Sequence, residues 1–230
     1  MIRMKNTLLA GMAVLAAIAL APAAHAVPQL QLSDGTTTVT ITDGGVGDIN
    51  ATAGVIVFHG SVGAFNINVT TGITKPVLGT ATQPMLDLNS IDVTGTAGAT
   101  LTIMFSETDF LSTGTSVNFL TAVGGVADGT ATFDYYASAT NTNFATDILV
   151  ATSGAQVGPF AYSDIGGTAL TGLYSLTSIA TIVHNFGGEN SSFNSNFEAV
   201  NGTIEIPEAP FAPSLIVGAL LFAAARPRKA

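Results

Sequence analysis

Alternation at spacing two constrains this chain more than any other feature. Leu30 and Leu32, Val39 and Ile41, Phe65, Ile67 and Val69, and Leu101, Ile103 and Phe105 stand two apart, mostly with Gln, Thr or Asn between them. Val117 and Phe119, Phe133 and Tyr135, Ile148 and Val150, and Ile204 and Ile206 continue the pattern. Successive side chains of a strand point to opposite faces, so this spacing builds half-buried strands and cannot supply the apolar stripe of a helix. Asp34-Gly35, Asp43-Gly44-Gly45, Gly124-Gly125, Asp128-Gly129 and Gly166-Gly167 are expected to turn the chain between strands. Leu170, Leu173, Leu176 and Ile179 have a competing helical spacing, but the Thr and Ser between them disfavour a helix interior and a strand is expected there. The predicted fold is an all-β, antiparallel β-sandwich ectodomain, with an N-terminal signal helix and a short C-terminal hydrophobic helix.

The helical segments are set by the two ends. Arg3 and Lys5 precede an apolar stretch from Leu8 to Leu20, then Pro22 and Ala24-His25-Ala26. Charge, apolar core and a small-residue A-x-A site follow the signal-peptide pattern over residues 1–26, with cleavage expected before Val27 once signal peptidase reads Ala24 and Ala26. The other end, residues 206–230, runs Ile206-Pro207-Glu208-Ala209-Pro210, then an apolar segment from Phe211 to Ala225, then Arg226-Pro227-Arg228-Lys229. As a helix, Phe211 to Ala225 would measure about 22 Å against a hydrocarbon core of about 30 Å, which suits a transient stop better than a lasting span. The terminal cations would keep that end cytoplasmic.

A Pro-Glu dipeptide, an apolar segment and a short basic terminus behind a signal peptide resemble the PEP-CTERM sorting signal of Gram-negative bacteria that make exopolysaccharide. Pro207 and Glu208 match the first two motif positions, Ala209 stands where that family usually has proline, and Arg226, Arg228 and Lys229 form the basic terminus. The resemblance implies recognition by an exosortase-like membrane protease after passage through the export machinery. It also implies an inner-membrane intermediate followed by the cell surface or extracellular matrix. Leu86 to Val93 followed by Leu101-Thr102-Ile103 is similar to the β-rich ectodomains found with such tails, to which no catalytic residues are assigned.

Residues 27–205 make one domain of roughly 180 residues, large enough to bury about 70% of its unfolded surface without disulfides. Cysteine is absent, which removes thiolate chemistry, zinc knuckles and iron–sulfur ligation. This segment holds 14 of the chain's 15 acidic residues, all but Glu208, against Lys75 alone. Nucleic acid is excluded as a partner, because its affinity comes from Lys and Arg on phosphates. The absence of arginine likewise removes the bidentate clamp for phosphate or carboxylate substrates.

The remaining chemistry is oxygen chemistry and two histidines. Gly44-Gly45-Val46-Gly47-Asp48 is similar to the opening of a calcium-binding β-roll repeat but occurs once and off register, so a turn is expected. Asp43, Asp48, Glu107 and Asp109 are the candidate metal ligands, with calcium the one cofactor that acidic, Gly-rich loops leave open. The simpler expectation is that these carboxylates provide solubility and guard edges. Glu107 and Asp109, two apart on a strand, are also the best carboxylate pair for glycoside hydrolysis, but the chain has no Trp and 4 Tyr to stack sugars. His59 and His184 lack metal-ligand spacing and each is expected to mark a strand end. Four N-x-S/T triplets, beginning at Asn50, Asn68, Asn190 and Asn201, are expected by chance in so Asn- and Thr-rich a chain, and Asn185 to Asn196 is expected to be a solvated loop. No catalytic residue is assigned. The expected function is that of a non-catalytic exported surface or matrix protein, with exopolysaccharide or other matrix components as partners, ahead of a calcium-dependent adhesion module and a polysaccharide hydrolase.

Overall fold

The computed structural model describes residues 26–96 and 98–200. The expected signal helix, the Ile204 and Ile206 pair and the C-terminal apolar helix lie outside the described residues.

Every regular element described is a strand: β1 (Gln29–Ser33), β2 (Thr38–Thr42), β3 (Val55–Val62), β4 (Phe65–Ile73), β5 (Met85–Gly95), β6 (Ala99–Ser112), β7 (Val117–Ser138), β8 (Ile148–Thr152), β9 (Gln156–Thr168), β10 (Gly172–His184) and β11 (Asn190–Val200). Hydrogen bonding runs along the path β2-β1-β6-β10-β7-β11-β5-β4-β3, with β8 and β9 added on β7. The pairs β1–β2, β1–β6, β6–β10, β10–β7, β11–β5, β5–β4, β4–β3, β7–β8 and β7–β9 are antiparallel. The alternation in the sequence is therefore the alternation of the sheet, and the Leu173–Ile179 stretch is strand β10, as its Thr and Ser content predicts.

The inward faces meet in one core. Leu30, Leu32, Ile41, Leu101, Ile103 and Phe105 come from one end of the path, and Phe65, Ile67, Leu86, Leu88, Ile91 and Val93 from the other. Distant strands touch through it: a Cβ on Gly72 of β4 would lie 2.6 Å from the Phe105 ring of β6. Phe119, Tyr135 and Tyr174 continue the packing, with the Phe119 ring tilted against Phe197 at 5.1 Å and Phe133 edge-on to Phe193 at 4.7 Å.

Strand β7, 22 residues long, links the two ends of the path. Its residues Thr130–Ser138 pair with β10, and Val117–Ala127 pair with β9. Between them the register breaks, at Ala127/Ala131. Close approach explains why glycines sit inside strands here rather than at turns: a Cβ on Gly125 would lie 2.2 Å from the Ser192 carbonyl oxygen of β11, and one on Gly166 would lie 2.3 Å from that of Val150 in β8. The turns expected at Gly124-Gly125, Asp128-Gly129 and Gly166-Gly167 are thus corrected to strand interiors, whose small residues admit a neighbouring backbone.

Two further expectations are overturned. Only residues 185–189 of the loop expected at Asn185 to Asn196 are loop, because Asn190–Val200 is β11, a central strand between β7 and β5. Ser191, Phe193, Ser195 and Phe197 alternate inward, and half of that buried set is serine, which hid the period. His59 is exposed and lies within β3 at a register break between Phe58 and Gly60, not at the strand end. His184, by contrast, does end β10.

Candidate functional site

Buried charge gathers at one place, where the β2–β3 loop, the segment after β4 and a bulge in β6 meet. Along β6, Leu101, Ile103, Phe105 and Glu107 face inward, so simple alternation carries the Glu107 carboxylate into the core. The next inward residue is Phe110, three positions on, because Asp109 adopts a left-handed conformation (φ 59°) and the register with β10 breaks there. This bulge separates the proposed carboxylate pair. Glu107 is fully buried, whereas Asp109 turns to Asn141, whose Nδ2 donates to Asp109 Oδ1 at 2.6 Å and whose Oδ1 accepts from the Asp109 amide at 2.8 Å.

Glu107 is held by two neighbours from the segment following β4. The Thr74 hydroxyl donates to Oε2, and the Lys75 ammonium lies 3.0 Å from Oε1. That second contact is an ion pair without hydrogen-bond alignment, since Oε1 has no aligned donor. The Lys75 ammonium donates instead to the Thr108 carbonyl at 2.6 Å and sits 3.8 Å from the centre of the Phe110 ring. Burial pushes the Lys75 ammonium below its ordinary value against the opposing pull of Glu107 and Asp109. Burial likewise pushes Glu107 up, against the opposing pull of Thr74 and Lys75.

The pair opens onto a cavity of about 510 Å³ whose lining includes Ala26, Val27, Asp43, Gly54, Lys75 and Glu107. Gly54 (φ +84°) lets the β2–β3 loop close over this wall, since a Cβ there would lie 2.6 Å from the Lys75 carbonyl oxygen. Its amide donates to Asp43 Oδ2 at 2.7 Å, which fixes the carboxylate at the cavity. The other oxygen, Asp43 Oδ1, is buried with no hydrogen-bond partner among the described residues.

The four candidate metal ligands therefore separate. Asp43 and Glu107 share the cavity, and Asp109 faces Asn141. Asp48 organises the β2–β3 loop by accepting from the amides of Gly44, Asn50 and Val57 at 2.9, 2.9 and 3.0 Å. Among the described residues no group of three or more His, Cys, Asp or Glu is arranged to hold a metal ion. Pro207, Glu208, Arg226, Arg228, Lys229 and Ala24 lie outside the described residues, and Ala26 lies on the cavity wall. The sequence reading left Lys75, Thr74 and Asn141 unassigned. The signal for Lys75 was available: a single cation among 14 carboxylates has many partners to choose from and is buried with the best placed.

A second polar centre is neutral. His184 is 1% exposed, its Nε2 lies 2.9 Å from Ser191 Oγ, and its ring packs on Phe65 at 5.5 Å. Burial lowers its pKa, with Glu189 and Asp128 pulling the other way. A separate open groove of about 460 Å³, bordered by Asp87, Tyr162, Asn194 and Asn196, lies where β7, β9 and β11 meet.

No family model and no curated protein matches this chain. Among solved structures, an isomalto-dextranase of Arthrobacter globiformis T6 complexed with panose is similar at 13% identity. The match covers 62% of this chain and 23% of that one at a TM-score of 0.25, too slight to carry an argument about fold or activity.

Proposed function

We propose that the chain is a non-catalytic exported protein, a two-layer β-sandwich ectodomain delivered to the cell surface or extracellular matrix through an exosortase-type sorting tail. The observation that carries this reading is how the folded body sits between the two terminal signals. Strand β1 begins at Gln29, three residues after the A-x-A site ends, and β11 ends at Val200, seven residues before Pro207. Cleavage before Val27 and processing near Pro207 would release the whole sheet without cutting a strand. The internal polar groups support the same reading: Glu107, Lys75, Thr74 and Asp43 hold loops to the core, and His184 holds Ser191. Thr, Ser and Asn on the outward faces suit contact with exopolysaccharide or other hydrated matrix components.

The test is the intact mass of the protein recovered from the envelope and culture medium of a producing bacterium. Loss of both residues 1–26 and the residues after about Glu205 is the expected result. A mass that retains Arg226 to Ala230 would overturn exosortase processing and leave Phe211 to Ala225 as a plain anchor.

A further inference from the structure

The cavity beside Lys75 holds one carboxylate oxygen more than its cation can serve. Lys75 is engaged by Glu107 and by the Thr108 carbonyl, while Asp43 Oδ1 is buried without a partner among the described residues. A buried carboxylate oxygen left unpaired is costly, and a cation beside it offsets part of that cost. Residues 27–205 contain no second lysine and no arginine. Cutting before Val27 gives this segment one further cation, its own α-ammonium.

We propose that signal cleavage completes this cavity: the new α-ammonium of Val27 becomes the partner of the Asp43 carboxylate. The proposal rests on the export reading above. In the cleavage step, water adds across the Ala26–Val27 amide, leaving Ala26 a carboxylate on the departing peptide and Val27 a protonated amine.

The chain is already placed for it. Ala26, Val27 and Asp43 line the same cavity. The Asp43 amide donates to the Pro28 carbonyl at 3.2 Å, which continues the β1–β2 pairing one residue past Gln29 and Thr42. Asn143 Nδ2 donates to the Val27 carbonyl at 3.3 Å, so Val27 is held from the other side. Removing Ala26 takes away part of the cavity wall and leaves charge in its place. The consequence for export is directional. A precursor with an amide at Val27 lacks the ion pair and is the less stable fold, which favours passage through the membrane unfolded; the cleaved protein gains the pair once outside.

The experiment compares residues 27–205 beginning at Val27, freed by a site-specific protease that leaves no extra residue, with the same chain carrying Ala24-His25-Ala26 and with an Nα-acetylated form. Thermal unfolding of the free Val27 form is expected about 3–6 °C above both blocked forms at neutral pH. In Asp43→Asn the three forms should unfold together. Equal midpoints in the Asp43 protein, or a difference that persists in Asp43→Asn, would overturn the pairing. The comparison does not depend on the host, so a native mass showing cleavage elsewhere would sink the export reading while leaving this result interpretable.

Discussion

The ion pair of Lys75 and Glu107 and the contact between His184 and Ser191 bury comparable polar groups by opposite means. At the β6 bulge the core admits a full negative charge and answers it with an ammonium, a hydroxyl and an aromatic face. At the end of β10 the core admits a neutral imidazole and answers it with one serine hydroxyl and a phenyl ring. The first arrangement is held by charge that must stay balanced, the second by a single neutral bond. They should differ in what breaks them.

The largest effect should come from unbalancing the charged region. Lys75→Met leaves Glu107 buried without its cation and is expected to cost about 3–5 kcal/mol in urea unfolding. Replacing both, Lys75→Met with Glu107→Leu, should recover most of that loss, because the pair's desolvation cost disappears with its attraction. A single mutant that unfolds like the unmodified protein would show that Glu107 is protonated and needs no cation. The neutral region should respond less. Ser191→Ala leaves His184 Nε2 without its partner and is expected to cost about 1–3 kcal/mol, with little to regain from a second change.

Acid should separate the two regions by sign. His184 has a lowered folded pKa, so its contribution is fully present above its unfolded value of about 6.5 and is lost as pH falls through the folded value. Glu107 has a raised folded pKa, so its contribution is fully present below its unfolded value of 4.5 and is lost as pH rises through the folded value. Between pH 7 and pH 4.5 the histidine therefore works against the fold while the glutamate begins to favour it. Stability measured across that window should lose its downward component in His184→Gln and its opposing component in Glu107→Gln. Identical profiles for both variants would remove the distinction between the regions.

The same contrast explains what could be read from the sequence. Strand β10 is readable as strand only from its Thr and Ser content, whereas strand β1 (Leu30, Leu32) and the first half of β6 (Leu101, Ile103, Phe105) carry apolar residues at every second position, so their faces and the antiparallel all-β class were legible. Strand β11 was not, because Ser191 and Ser195 take alternate inward positions and look like loop residues until Phe193 and Phe197 are seen beside them. Bulges were also hidden. Leu86 and Leu88 face inward, and so do Ile91 and Val93, but Ser90 (φ 54°) shifts the parity between them while its amide donates to Asn194 Oδ1 at 2.7 Å. The bulge at Asp109 does the same for Glu107, and local spacing cannot reveal either, since a bulge is fixed by a partner distant in the chain. Asp43 and Glu107 were legible as acids; that they share a wall with Val27 depends on long-range pairing.

The smallest expected effect concerns calcium, and it bears on how the charged region is balanced. A calcium ion takes 6–8 oxygen ligands at about 2.3–2.6 Å. Here both Asp48 oxygens accept loop amides, Asp109 Oδ1 accepts from Asn141 and Glu107 is matched by Thr74 and Lys75. Binding would have to break several of these contacts, so the unfolding midpoint should move by less than about 1 °C between chelator and about 1 mM calcium. A true extracellular-type site with a Kd of about 0.1 mM would instead add about 1.4 kcal/mol at that concentration, or about 3–6 °C for a domain of this size. If such a shift occurred and Asp43→Asn abolished it, the unpartnered oxygen of Asp43 would belong to a metal. The α-ammonium of Val27 would then be competing for a carboxylate already taken, and blocking that amine should raise the apparent calcium affinity.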